Sequence, residues 1–197
     1  MDLHCYFDYG SPYAYLAWYR ITKLHPEKYE KVNILWKPVS AAHIFKTDGS
    51  APNTTMKNQG AYLYRDVDRY AKLYDAPFCH PRMPVRSIEA MRLHFLADQQ
   101  GPKFESAWME AVFMANFRDG KDISTPDVLK ELCDQVGIED GPQGCNHESI
   151  KRLLIANTQE AYEAGAPGVP FFVLETDEGR DIFWGNDRLG WVEALIN

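Results

Sequence analysis

Apolar and polar positions along this 197-residue chain follow two periods, one short and one helical, and the change between them divides the chain into three parts. Leu3 to Asp8 is a mostly apolar, partly alternating run that reads as a buried strand. From Ser11 to about Leu24, Tyr15, Leu16 and Tyr19 fall at helical spacing. Val32 to Trp36 is again β-rich and is followed by Pro38, which reads as its stop. Strand, helix, strand in this order predicts a parallel pair joined by a right-handed crossover. The middle of the chain is then almost purely helical. Leu63, Val67, Tyr70 and Tyr74 recur at intervals of three and four, with Asp68 and Lys72 as an i,i+4 pair on the other side. Ile88, Met91 and Phe95 repeat the pattern, as do Phe104, Trp108, Ala111 and Ala115. Thr125-Pro126 opens a further helix, with Gly137 suited to the position after its end. Asn146 is the expected cap of another, running to about Gly165. Short period returns at Val169 to Leu174, and a polar turn at Asp177-Glu178-Gly179 leads into Asp181 to Trp184, a predicted hairpin. A last short helix is expected from Asp187 through Trp191 and Leu195.

Setting the helical middle aside leaves β-α-β followed by β-β-α, so the fold class is α/β, a thioredoxin-like fold with a large all-helical insertion. The expected division is 1–45 with 166–197 for the discontinuous thioredoxin-like part and 46–165 for the insertion. Hydrophobic residues make up 45% and charged residues 25%, which is ordinary for a globular protein and narrows nothing further. A formal charge of −7 argues against nucleic acid as a partner. No apolar run reaches the length that spans a bilayer, and no basic region followed by an apolar stretch opens the chain, so a cytoplasmic protein without membrane partners is expected. Cys5, Cys79, Cys133 and Cys145 show no paired short spacing and read as reduced thiols. Cys79-His80 and Cys145-Asn146-His147 lack a second matched pair, so no metal site is expected.

Three segments carry candidate chemistry. The first is Tyr9-Gly10-Ser11-Pro12, where Ser11 reads as a helix N-cap and Pro12 as the first helical residue. A hydroxyl there is either a plain cap or part of an anion site at the positive end of a helix. The turn Ser11-Pro12-Tyr13-Ala14 contains no cysteine, which argues against dithiol oxidoreduction. The second is Gly168-Val169-Pro170, where a proline entering a strand fits a cis peptide or an edge position. The third is Trp184-Gly185-Asn186-Asp187-Arg188-Leu189, in which Asp187 is either another cap or part of a site for an α-amino acid head group.

Together these segments resemble the 2-hydroxychromene-2-carboxylate isomerases and the kappa-class glutathione transferases, and the resemblance runs nearly end to end. Phe7 to Ala17, Tyr62 to Arg69, Glu89-Ala90-Met91-Arg92, Gly168-Val169-Pro170 and Trp184 to Leu189 are similar to family segments. The resemblance implies glutathione as cofactor, with Ser11 holding its sulfur as a thiolate. It further implies that the main chain of Val169 pairs with its cysteinyl part and that Asn186 and Asp187 hold its γ-glutamyl end, with Pro170, Trp184 and Gly185 also among the glutathione-binding residues. Asn53 matches a family position beside the sulfur and an aromatic substrate, with Thr54 next to it; from spacing alone Asn53 is equally a turn residue beside Pro52. Relatives carry lysine where this chain has His43 and Gln59, which leaves the substrate open. Arg82 and Arg86 are either partners for a substrate carboxylate or ordinary surface arginines. The implied activity is a glutathione-dependent isomerase of 2-hydroxychromene-2-carboxylate-like aromatic compounds, as in naphthalene catabolism, acting as a homodimer. The alternatives are a kappa-type transferase or peroxidase, which consumes glutathione, and a non-catalytic thioredoxin-like binding module.

Overall fold

The computed structural model describes residues 1–49 and 57–196. One sheet holds β1 (Asp2–Phe7), β2 (Asn33–Pro38), β3 (Phe171–Thr176) and β4 (Gly179–Trp184), in the order β2-β1-β3-β4. β1 and β2 are parallel, with Asp2 opposite Asn33 and Phe7 opposite Pro38, while β3 runs antiparallel to both β1 and β4. The parallel pair and the hairpin read from periodicity are both present. Pro38 is the last residue of β2 rather than a stop beyond it. A proline lacks only its own N–H, so it is tolerated at a strand end, where Val39 N–H then closes onto Phe7 O at 2.8 Å.

Helix α1 (Pro12–Tyr19) passes through a π-helical turn, Arg20–Leu24, into a 3-10 turn, Pro26–Tyr29. After β2 come α2 (Ala41–Thr47), α3 (Lys57–Leu73), α4 (Ile88–Gln99), α5 (Pro102–Phe117), α6 (Pro126–Val136), the single turn α7 (Gly141–Gly144) and α8 (Glu148–Glu163). A 3-10 turn, Asn186–Arg188, leads into α9 (Leu189–Ile196). The expected cap at Asn146 is displaced by one residue. Asn146 N–H is used by Gln143 O in the turn from α7, and His147, with extended backbone, caps α8 instead. The expected Asp68–Lys72 pair is also replaced, because Asp68 Oδ1 lies 2.8 Å from His80 Nε2 on the segment that follows α3. All four cysteines are free.

Alternation along β1 and β3 sorts side chains to two faces of the sheet. Leu3, Cys5, Phe172 and Leu174 meet Ala17 and Ile21 of the α1 segment and Val192 and Ile196 of α9. Tyr6, Phe171 and Val173 point the other way, against Ile44 of α2 and Ala161 of α8. The largest core joins Phe7, Tyr9, Tyr15 and Trp18 to Val67, Met91, Trp108, Phe113 and Leu129 of α3 to α6. Helix α1 is therefore buried on nearly every side, which explains why its sequence is apolar all round rather than striped. The expected boundary at 45/46 falls within α2, and α8 forms part of the layer on the sheet.

Candidate functional site

The C-terminal end of β1 and the N-terminal end of α1 open onto a cleft of about 630 Å³. Ser11, Val169, Pro170, Trp184, Gly185, Asn186 and Asp187 all line it, so residues more than 150 positions apart in sequence share one surface. Asn53 and Thr54 lie outside the described residues. Helix α2 and its C-cap present Ala41, Ala42, Phe45 and Asp48 to the cleft, which leaves His43 turned away from it, exposed. Arg82 and Arg86 are exposed and do not line the cleft; both help hold the Asp122 carboxyl below its usual range, behind its bonds to Ser124. Gln59 is exposed on α3.

Ser11 adopts the extended backbone of an N-cap, and its Oγ accepts the Ala14 N–H at 3.2 Å. Pro12 has no N–H to offer, so of the first-turn amides only that of Tyr13 is neither missing nor capped. The Ser11 hydroxyl donates to Val169 O across the cleft at 3.5 Å, the far limit for such a bond. A capped oxygen is thus fixed in place while its proton has only a loose partner. The Val169–Pro170 peptide is cis, one of the two arrangements expected for it; Met83–Pro84, on the facing wall, is cis as well.

On the far side, Gly185 N–H donates to Pro170 O at 2.9 Å and ties the two C-terminal segments together. Gly185 has φ 102°, and a Cβ there would lie 2.6 Å from Asp187 Oδ1. Asn186 is fully buried, with its amide against the Tyr74 hydroxyl at 3.3 Å. That hydroxyl also accepts from Arg20 Nη1 at 3.0 Å, and Arg20 is forked onto Glu193 at 2.7 and 2.9 Å. Asp187 is exposed and pairs with Arg188 at 2.7 Å.

Several further residues line the cleft that the sequence pattern does not single out. Tyr13 donates to Asp66 Oδ2 at 2.8 Å, and burial followed by Asp66 pushes the phenol well above its ordinary range. Leu63, Asp66 and Tyr70 share one face of α3, and a signal for this exists: a carboxylate three residues after Leu63 and four before Tyr70 sits on the apolar stripe. Asp8 lies beneath the Ser11 turn, 8% exposed, and accepts from Gly10 N–H at 2.8 Å, Ala41 N–H at 3.2 Å and the Ser87 hydroxyl. Burial raises its carboxyl above the usual range, while these three donors pull the other way. Its signal is a charge at the end of a buried strand. The apolar wall comprises Phe45, Leu63, Met83, Pro84, Val85 and Pro167.

The family profile described as DSBA-like thioredoxin domain matches residues 2–197. The chain is 25% identical to a 2-hydroxychromene-2-carboxylate isomerase of Pseudomonas putida, over 100% of this chain and 94% of that one. It is 23% identical to glutathione S-transferase kappa 1 of Caenorhabditis elegans, over 97% of this chain and 88% of the relative. A solved structure of 2-hydroxychromene-2-carboxylate isomerase superposes with a TM-score of 0.83 at 24% identity, covering 100% of this chain and 94% of that one.

Proposed function

The chain belongs to the DSBA-like thioredoxin domain family, and from that premise we propose that it is a glutathione-dependent enzyme in which Ser11 holds the thiolate. The observation that carries this reading is the Ser11 hydroxyl itself, fixed by its cap, at a helix N-terminus, and loosely engaged with Val169 O across the cleft. A free thiol with pKa about 8.5 is only a few per cent ionised at neutral pH. Lowering that value by about 1.5 units takes about 2 kcal/mol, within the reach of a hydroxyl donor and the Tyr13 N–H at a helix start. Val169 pairs with the cysteinyl part, and Asp187 with its neighbours takes the γ-glutamyl head. Asn186 contributes from a buried position fixed by Tyr74. Similarity to proteins named as this isomerase and as kappa-class glutathione transferases supports glutathione as the guest.

In the isomerase form of this reading, the thiolate adds to an unsaturated carbon of a 2-hydroxychromene-2-carboxylate-like compound as its ring opens. The new single bond rotates, and expulsion of the thiolate releases trans-o-hydroxybenzylidenepyruvate and regenerates glutathione. Asn53 assists the oxygen that gains charge. A transferase is the second reading, and one observation favours it. The charged side chains lining the described cleft are Asp8, Asp48, Asp66, Asp187 and Arg188, and Arg188 is already paired with Asp187. Neither Arg82 nor Arg86 lines the cleft to receive a substrate carboxylate, so an uncharged aromatic electrophile meets less opposition there.

Ser11→Ala is expected to lower kcat/KM by roughly 10²-fold, the usual loss for one donor to a developing or bound anion, and to abolish the ultraviolet thiolate absorbance that wild-type protein adds to glutathione at neutral pH. Full activity without glutathione would overturn the reading. Product analysis separates the two forms: unchanged glutathione marks the isomerase, and a thioether formed one for one marks the transferase.

A further inference from the structure

We propose that Asp8 is the positioning residue of the thiol site: its buried carboxylate locks the Gly10–Ser11 turn against the facing walls of the cleft and places a negative charge behind the bound sulfur. This rests on the glutathione reading above.

The geometry begins with the donors. Gly10 N–H, Ala41 N–H and the Ser87 hydroxyl converge on one carboxylate, and each comes from a different element bounding the cleft. Gly10 belongs to the turn that carries Ser11 and Tyr13. Ala41 opens α2, which with the residue after it supplies Phe45 and Asp48 to the cleft, and Ser87 stands two residues after Met83-Pro84-Val85, which also line it. Asp8 O accepts Ser11 N–H at 2.9 Å, so the same residue holds the turn by main chain and side chain together. There is no slack in this arrangement. A Cβ on Gly10 would stand 3.3 Å from Asp8 Oδ1 and equally close to Val85 Cβ and Val85 O.

Gly10 N–H falls on Oδ1 and Ala41 N–H on Oδ2, so both oxygens have to accept, and the Ser87 hydroxyl is free to donate to Oδ1; an ionised carboxylate is the side chain of this size that meets all three. An amide would turn an N–H toward one of the three. Among the described residues, no cation contacts this carboxylate. Phe7 flanks Asp8 on the β1 side, Tyr9, Gly10 and Ser11 on the turn, Ala41 on α2 and Ser87 before α4, and none of these is a cation. Arg86, next to Ser87, is exposed and acts on Asp122. A carboxylate in that place opposes the Ser11 hydroxyl and the helix N-terminus, which favour the thiolate. The balance matters because the nucleophilicity of a thiolate falls as its pKa falls, and the best attacking thiol titrates near ambient pH.

The test compares wild-type protein, Asp8→Asn and Asp8→Ala, each titrated with glutathione while thiolate absorbance is followed against pH. In Asp8→Asn, which keeps the size and most of the hydrogen bonding, the bound thiol is expected to titrate roughly one pH unit lower, with the acidic limb of the kcat/KM profile moving by the same amount. Asp8→Ala is expected in addition to raise KM for glutathione several-fold, because Gly10 and Ser87 lose their acceptor. If Asp8→Asn titrates at the wild-type value and keeps wild-type kcat/KM, the inference is overturned and the glutathione reading stands. If wild-type protein adds no thiolate absorbance to that of free glutathione at the same pH, the glutathione reading fails and takes this inference with it.

Discussion

Ser11 carries two duties on one oxygen, and substitutions at that residue can separate them. As an N-cap it accepts from Ala14 N–H; as the proposed thiolate holder it donates its proton. Ser11→Asp keeps a good cap and adds a charge favourable to a helix N-terminus, so stability should stay within about 0.5 kcal/mol of wild type. The same charge repels a thiolate, so glutathione binding should be lost, as measured by calorimetric titration beside a thermal melt. Gly185 makes the complementary case on the far side of the cleft. At φ 102°, with Asp187 Oδ1 2.6 Å from where a Cβ would stand, Gly185→Ala should cost about 1–3 kcal/mol of stability. It should also raise KM for glutathione, since Asp187 has to move. A melt and a KM determination on the one variant check both. The Ser11 cap is legible in the sequence, because Ser-Pro ahead of helix formers has a local meaning. Asp8 and Asp66 are legible only as charges out of pattern, one at the end of a buried strand and one on an apolar stripe; what each holds is known only from its spatial neighbours.

Among the elements, α9 shows how a helix with little local support is held in place. Glu193 on α9 receives Arg20 at 2.7 and 2.9 Å, Lys28 Nζ at 2.7 Å and the Tyr29 hydroxyl at 3.2 Å, so it clamps the C-terminus onto the segment after α1. Burial alone would raise its carboxyl, but the bonds from Arg20 and Lys28 outweigh that and hold it down to about 2. Because the folded value lies below the unfolded one, the clamp stabilises fully above about pH 4.5 and is lost as pH falls toward 2. At neutral pH this amounts to about 3 kcal/mol. Glu193→Gln should therefore lower Tm near pH 7 and flatten the dependence of stability on pH between 4.5 and 2, as followed by denaturant titrations across that range. The existence and type of the strands and longer helices are legible from period, and so is the Gly137 end of α6, where φ is 83°. The partners are less so. Asp68 pairs with His80 rather than Lys72, and His147 displaces Asn146 as a cap, because segments remote from the local pattern compete for the same groups.

For the molecule as a whole, the division into a thioredoxin-like part and an insertion is a statement about chain topology, and the packing crosses it. Phe7, Tyr9, Tyr15 and Trp18 lie in one continuous cluster with Trp108, Phe113 and Leu129, and the buried His94 of α4 meets the Tyr9 hydroxyl at 3.0 Å and Glu105 at 3.2 Å. A shared core of this kind predicts one cooperative transition, with tryptophan fluorescence and far-ultraviolet circular dichroism superimposing through a urea titration. Residues 46–165 expressed alone should not fold stably, and two separated transitions would contradict the shared core. What the sequence determined by itself was the alternation of periods, the Ser11 cap, the hairpin and the thioredoxin-like order of elements, because each rests on hydrophobic spacing or on backbone chemistry within a few residues. The tertiary structure alone decided that Ser11 faces Val169 and Asp187 across one cleft, that Arg82, Arg86 and His43 turn away from it, and that Asp8 lies under the Ser11 turn with no cation among its partners in the described residues. Such matters depend on which distant surfaces pack together, and no local pattern encodes that.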